Sequence, residues 1–172
     1  MGRIVVADSS TLILLEKVLL LDKLVKKYNF VIPEEVHNEA VIKGKSIKSK
    51  DAYSIESKIS KNTIKVEKVK DIATLNKLIG EFDLAQGEAE AIALHLEKKA
   101  NILAVDDHKA INVCKIYKIP FMTALTFVVK AFKAKQIARI DAKEMIKNLE
   151  IYGRYKGDLV YKALEHVGGK ND

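Results

Sequence analysis

Acidic side chains recur in this sequence where short apolar, β-prone runs end or where helical patterns begin. The acidic residues in such positions are Asp8, Glu39, Glu88 or Glu90, Asp106 and Asp107. Carboxylates that lie close together raise one another's pKa, and a hard divalent cation such as Mg²⁺ relieves that repulsion. If the fold brings these residues together, the chemistry that they support is metal-dependent hydrolysis of phosphodiester bonds.

Asp8 directly follows the apolar run at residues 3–7. Residues just past the carboxyl ends of parallel strands line the ligand crevice of an open α/β sheet, so Asp8 is placed to bind a cation. The alternative is that Asp8, Ser9 or Ser10 caps the helix that follows, and this stretch alone favours the cap. Ser10 could also hydrogen-bond to Asp8 and orient its carboxylate, a role that is compatible with capping.

Two helical patterns carry the next candidates. Glu39 comes three residues after Val36, so burial of Val36 would turn Glu39 along the same side of the helix. Without further evidence, a solvated helix charge is the better interpretation of Glu39. Glu88 and Glu90 flank an apolar stripe at positions 89, 92, 93 and 96 almost symmetrically, so periodicity does not choose between them. A negatively charged side chain at position 88 would also be stabilised by the helix dipole at the N-terminus of its helix, without any metal ion.

A pair of aspartates follows the apolar run at residues 101–105. Asp106 is the first residue after that run. Asp107 is placed to cap the helix that follows or to be an outer ligand of a metal ion. His108 and His37 are interpreted as surface residues rather than general bases. Lys109 could neutralise a phosphate, although a lysine is ordinary on a basic surface.

The elements that must position these side chains alternate along the chain. Strands are predicted at residues 3–7, 30–32, 63–69, 101–105 and 119–122, and helices at residues 12–24, 34–42, 52–59, 72–79, 87–97 and 108–117. Strands and helices that alternate at these lengths predict a three-layer α/β/α sandwich with a central parallel sheet. From residue 123 onward only helices are predicted, at residues 124–133, 142–151 and 158–166. We therefore predict an α/β domain at residues 1–122 and a helical extension at residues 123–172 packed on it, with residues 168–172 frayed.

Composition narrows the class of protein. The chain has 172 residues, of which 48% are apolar and 31% are charged, as expected of a globular protein with a substantial core. Lys and Arg exceed Asp and Glu by 30 − 23 = 7, which favours a polyanionic partner such as RNA or DNA. No apolar run approaches the roughly 18 residues of a membrane-spanning helix, and no secretory leader is recognisable, so a cytoplasmic location is expected. The single Cys114 reads as a small buried residue.

Four segments of the sequence resemble the PIN-domain ribonucleases, and most closely the toxin-like members of the VapBC type. They are Val5-Val6-Ala7-Asp8-Ser9-Ser10, Ile32-Pro33-Glu34-Glu35-Val36-His37-Asn38-Glu39, Gly87-Glu88-Ala89-Glu90-Ala91-Ile92-Ala93-Leu94 and Leu103-Ala104-Val105-Asp106-Asp107. The segments occur in the family's order over residues 3–122, and residues 126–169 are similar to a helical extension of one branch. The resemblance implies an α/β/α fold, a Mg²⁺ or Mn²⁺ site and cleavage of single-stranded RNA. It also implies frequent homodimers and inhibition by a small antitoxin protein.

The resemblance assigns roles to individual residues. Asp8, Glu39, Glu88 and Asp106 match the family's acidic positions and are expected to be both the catalytic residues and the metal ligands. Glu88 is preferred to Glu90 because its placement in the first helical turn matches the family.

Three other functions are weighed against the nuclease. A non-catalytic PIN-like RNA-binding or scaffold protein would be expected to lack one or more of the acidic positions, and all four have candidates here. A phosphate-accepting receiver domain would carry its acidic pair near the first strand, whereas this pair follows a late one. Nucleotide-binding enzymes are disfavoured because the sequence contains neither a G-x-G-x-x-G nor a Walker A motif.

Overall fold

The computed structural model describes residues 2–168, and its centre is a sheet of parallel strands. The strands are β1 (Ile4–Ala7), β2 (Asn29–Pro33), β3 (Ile64–Glu67), β4 (Ile102–Ala104) and β5 (Phe121–Met122). Their order across the sheet is β3-β2-β1-β4-β5, and every neighbouring pair is parallel. In this register Val6 pairs with Val31 on one side and with Leu103 on the other.

Helices connect the strands and complete the carboxyl-terminal part. They are α1 (Ser9–Lys17), α2 (Leu21–Leu24), α3 (Glu34–His37), α4 (Gly44–Ser46), α5 (Lys50–Ser60), α6 (Ile72–Phe82), α7 (Gln86–Lys98), α8 (His108–Ile116), α9 (Ala124–Lys133), α10 (Arg139–Gly153) and α11 (Gly157–His166). A π-helical segment, Asn38–Lys43, joins α3 to α4. None of the helices in residues 2–168 combines the length and hydropathy needed to cross a membrane.

Apolar side chains alternate between two cores, one on each face of the sheet. Along β1, Val5 and Ala7 pack on one face and Val6 on the other, because successive side chains of a strand point to opposite sides. The first core is covered by α1, α5 and the carboxyl-terminal helices, and the second by α6, α7 and α8. The predicted three-layer α/β/α fold is therefore confirmed. Phe127, Ile146 and Val160 of the carboxyl-terminal helices share the first core with Val5.

The prediction of a single helix over residues 12–24 is wrong. α1 ends at Lys17, and Leu19 adopts the left-handed conformation (φ 59°) with 71% of its surface exposed. That reversal allows Leu20 and Leu21, the next two residues, to be fully buried. The apolar run 18–21 is longer than one helical face can bury, so the helix breaks within it.

Other boundaries shift less. The helix predicted over residues 34–42 continues through the π-helical segment to Ser46, and the helix expected to end at Gly80 runs on to Phe82. The strand predicted at residues 63–69 is the shorter edge strand β3, and Cys114 is fully buried as predicted. Residues 169–172, which we predicted to fray, lie outside the described residues.

Candidate active site

The carboxyl ends of the neighbouring strands β1 and β4 deliver two of the predicted site residues to the middle of the sheet edge. Asp8 directly follows β1, and Asp106 comes two residues after the last residue of β4. The backbone N–H of Asp8 donates to the carbonyl of Ala104 at 3.0 Å, which joins the two strand ends. The charge of Asp106 raises the pKa of Asp8, as expected for two carboxylates placed side by side.

Asp8 is both a helix cap and a buried carboxylate. Its Oδ1 accepts a hydrogen bond from the backbone N–H of Thr11 at 2.8 Å, and Ser10 Oγ lies 3.2 Å from both of its oxygens. The side chain is almost completely buried, at 2% exposure. Burial, with a smaller contribution from Asp106, raises its pKa from 3.8 to about 7, and hydrogen bonds from Thr11 and Ser10 oppose that rise. The two interpretations of Asp8 are therefore compatible.

Asp106 is held by two donors from the carboxyl-terminal part of the chain. The Tyr155 hydroxyl donates to its Oδ1, and the backbone N–H of Ala124 lies 3.1 Å from its Oδ2. Burial raises the pKa of Asp106, while hydrogen bonds from Tyr155 and Ala124 lower it.

Tyr155 is a site contact that sequence reasoning missed. It lies in the connection between α10 and α11, and its ring packs directly on Gly153, where a Cβ would lie 2.5 Å from a ring carbon. The two glycines that bracket it, Gly153 and Gly157, were the only sequence signal, and they indicated a turn rather than a contact with Asp106.

Glu39 occupies a space that a glycine leaves open. Ser9 Oγ donates to Glu39 Oε2 at 2.5 Å, and Val36, three residues earlier, is fully buried. A Cβ on Gly87 in the first turn of α7 would lie 2.9 Å from that same oxygen, Glu39 Oε2. Glu39 also lies in the π-helical segment, a local geometry that often marks functional sites.

The structure separates Glu88 from Glu90. Burial, followed by the charges of Asp107 and Glu39, raises the pKa of Glu88, so this carboxylate lies among the other acids. Glu90 instead accepts a hydrogen bond from the backbone N–H of Glu35 at 3.0 Å, at the start of α3. Glu90 therefore ties two helices together, whereas Glu88 lines the cavity beside the other acids and also accepts a hydrogen bond from the backbone N–H of Ala85 at 3.1 Å, at the start of its own helix.

A cavity of about 410 Å³ opens beside these carboxylates. Its lining includes Ser10, Lys17, Glu88, Asp106, Asp107 and Tyr152. Asp107 also caps α8, since it accepts from the backbone N–H of Ala110 at 2.9 Å.

Of the other residues considered from the sequence, Lys109 lies beside the acidic group and lines a smaller cavity with Glu88 and Asp107, whereas the two histidines do not line either cavity. Lys109 forms an exposed ion pair with Asp83 at 2.6 Å, His108 is exposed and contacts Asn112, and His37 is half-buried on α3.

The carboxylates lie near one another in small groups and do not surround a single point as the ligands of a bound metal ion would. Their charges couple Asp8 with Asp106, and Glu88 with both Asp107 and Glu39. Within residues 2–168, no three Asp, Glu, His or Cys side chains converge closely enough to hold a metal ion as they stand. The donor set nevertheless fits a hard divalent cation, because it consists of carboxylate oxygens, and the missing Cβ of Gly87 leaves room for one of them.

The sequence profile of the PIN-domain family matches residues 4–168. The chain is a member of the PIN-domain family. PIN domains are generally nucleases. The matched region includes the carboxylates described above, which we call the acidic edge: Asp8, Glu39, Glu88, Asp106 and Asp107. The match continues through the carboxyl-terminal helices and therefore includes Tyr155. Among curated proteins, none matches the chain.

Proposed function

We propose that this PIN-domain protein is a metal-dependent endoribonuclease that hydrolyses phosphodiester bonds of single-stranded RNA. The observation that carries the proposal is the pairing of Asp8 with Asp106 at the ends of adjacent central strands, where the pKa of Asp8 is raised to about 7. Perturbed carboxylates that face one another beside a cavity are typical of catalytic sites. A carboxylate pair needed only for folding would gain nothing from this mutual repulsion.

In this proposal Asp8, Glu39, Glu88 and Asp106 hold Mg²⁺, or Mn²⁺ in its place, and Asp107 is an outer ligand. A bound divalent cation supplies charge for the scissile phosphate and lowers the pKa of the attacking water. Ser10 and the backbone of Thr11 hold the carboxylate of Asp8 in a fixed orientation.

Further residues keep this edge in place. Tyr155 and the N–H of Ala124 fix the carboxylate of Asp106, and Ser9 fixes that of Glu39. These contacts leave lone pairs free on each carboxylate, since a carboxylate can accept about four hydrogen bonds or ligand contacts.

The charge of the whole molecule supports an RNA substrate. The net charge of +7 attracts a phosphate backbone, whereas the acidic edge alone would repel it. Lys17 lies at the acidic cavity and can meet a phosphate there.

The wider biological role is proposed from the resemblance to VapBC-type toxins. We infer a cytoplasmic homodimer that acts as the toxin of a toxin–antitoxin pair. A small antitoxin protein would lie across the acidic cavity and place an Arg against its carboxylates. Purification of the protein from its native host should recover a small bound protein that suppresses cleavage, and failure to recover one would contradict this part of the proposal.

A non-catalytic RNA-binding protein is the second candidate. Its supporting observation is that the carboxylates described within residues 2–168 form pairs and not a converged set of three.

The test is cleavage of a mixed-sequence single-stranded RNA in Mg²⁺, Mn²⁺ or EDTA by the wild type and by Asp8→Asn. Metal-dependent cleavage that the variant loses supports the nuclease. RNA binding without cleavage under every condition supports the second candidate.

A further inference from the structure

A second cavity, of about 470 Å³, lies between α9 and α11. The residues that line it are Thr123, Leu125, Thr126, Val129, Lys130, Lys133, Tyr155, Leu159, Lys162, Ala163 and His166. None of these positions was a candidate in the sequence analysis. The volume falls within the range of small-molecule sites, about 300–1,000 Å³.

The chemistry of this cavity is the reverse of that of the acidic edge. Leu125, Val129 and Ala163 are buried and form an apolar floor, and the ammonium-bearing side chains of Lys133 and Lys162 are exposed beside it. Lys130 and His166 add to the basic rim, and no Asp or Glu is among the described residues that line the cavity. Its charge therefore suits an anion that carries a flat or apolar group.

Tyr155 joins this cavity to the acidic edge. Its ring forms part of the cavity wall, and its hydroxyl donates to Asp106 Oδ1. An occupant of the cavity is therefore separated from the proposed catalytic carboxylates by one side chain. On the other wall, the hydroxyls of Thr123 and Thr126 lie 3.0 Å apart and offer polar contacts.

We propose that this cavity, the α9–α11 cavity, binds one nucleotide of the single-stranded RNA next to the bond that is cut. The inference rests on the proposed function, because it deepens the same site. The base packs on the apolar floor and on the ring of Tyr155, and its flanking phosphates contact Lys133 and Lys162. Single-stranded nucleic acids are bound in this way, by an aromatic or apolar platform beside a basic rim.

The test compares two double variants of exposed lysines. Lys133→Ala with Lys162→Ala removes two cations from the rim of the cavity. The matched control, Lys23→Ala with Lys26→Ala, removes two exposed cations from the segment before β2, and neither lysine lines the cavity. All four side chains are exposed, so both variants are expected to unfold at the wild-type temperature.

Binding of a fluorescent single-stranded RNA is measured in EDTA across a range of salt concentrations, and cleavage is measured separately in Mn²⁺. Loss of two phosphate contacts should reduce the slope of log affinity against log salt by about 1.4 and the affinity about tenfold at 0.15 M salt. In cleavage, KM should rise by a similar factor while kcat changes little, because the carboxylates are untouched. The control variant should match the wild type in both measurements.

The apolar part of the cavity lining is further tested at Leu159, beside the floor, by Leu159→Asp. This side chain is 45% exposed, so the substitution leaves the fold intact while placing a negative charge where a base would pack. A loss of RNA affinity of at least tenfold is expected. The same substitution at Ile116, which is 63% exposed at the end of α8, is the matched control and should leave RNA affinity unchanged.

The outcomes separate this inference from the proposed function. Wild-type cleavage with unchanged RNA affinity in the cavity variants overturns the inference and leaves the nuclease standing. RNA binding that the cavity variants lose, without cleavage by the wild type, supports the inference while the nuclease fails. Unchanged RNA affinity together with binding of a fatty acid or a peptide that Leu159→Asp abolishes overturns the inference in favour of another occupant.

Discussion

Replacing Gly87 by alanine should separate activity from stability. The added Cβ would lie 2.9 Å from Glu39 Oε2 and 3.1 Å from its Cδ, whereas an ordinary contact is at least about 3.4 Å. The carboxylate of Glu39 must therefore move by roughly 0.5 Å or more, or the side chain must adopt another rotamer. Either movement disturbs the hydrogen bond that Ser9 donates to Glu39.

The cost in stability is small because two effects oppose one another. Alanine stabilises a helix by about 1 kcal/mol relative to glycine, and loss of a part-buried hydrogen bond costs about 1 kcal/mol. We therefore expect the free energy of unfolding in urea to change by no more than about 1 kcal/mol. Activity should fall far more, since a misplacement of about 1 Å in a catalytic group can cost about a hundredfold in rate.

Gly80→Ala is the matched control. Gly80 lies on α6, and its added Cβ would meet nothing within 4 Å, so this variant should gain up to about 1 kcal/mol in stability and keep full activity. The assay is kcat for cleavage of single-stranded RNA in Mn²⁺. Wild-type kcat in Gly87→Ala, with Glu39 displaced in its crystal structure, would refute the role of Glu39.

Three further predictions concern the other carboxylates. Without metal, the free energy of unfolding should fall by on the order of 4 kcal/mol as pH rises from about 4 to 7, because folded Asp8 keeps its proton up to a pKa of about 7. Asp8→Asn should therefore be more stable than the wild type at pH 8 in urea unfolding, yet inactive. Tyr155→Phe should lose about 1–2 kcal/mol of stability and weaken Mn²⁺ binding, because the carboxylate of Asp106 is no longer held. Glu88→Gln should abolish cleavage, whereas Glu90→Ala should cost about 1 kcal/mol of stability and leave cleavage intact.

Each of these predictions has a control or an opposing outcome. Tyr161→Phe removes a hydroxyl from an exposed tyrosine on α11 and should change neither stability nor Mn²⁺ affinity. A wild-type stability that rises steadily between pH 4 and 7 would contradict the raised pKa of Asp8. Equal loss of cleavage in the Glu88 and Glu90 variants would contradict the separation of their roles.

The sequence predicts this fold well because its strands are short and apolar and its helices alternate with them. The positions of Asp8 and Asp106 at the ends of strands follow from the same pattern, since a carboxylate directly after an apolar run can be read without knowing any contact. The choice between Glu88 and Glu90 could not be read in this way. It depends on where α3 packs against α7, because Glu90 is occupied by the N–H of Glu35.

Features that depend on distant contacts were missed. Tyr155 lies 49 residues from Asp106 in the sequence, and it reaches that carboxylate only because the carboxyl-terminal helices fold back on the sheet. The break at Leu19 was missed for a related reason. Local apolar periodicity continues through it, and only the burial of the residues that follow favours the left-handed conformation there.

The proposed function requires that the acidic edge binds a divalent cation on which cleavage depends. Calorimetric titration of Mn²⁺ at pH 7, in two buffers of different ionisation enthalpy, tests it directly in the wild type and in Asp8→Asn. We predict binding to the wild type with release of part of a proton, because Asp8 with a pKa of about 7 must ionise to bind. Asp8→Asn should bind at least tenfold more weakly and release less of a proton. Equal affinity and equal proton release in the two proteins would contradict the claim.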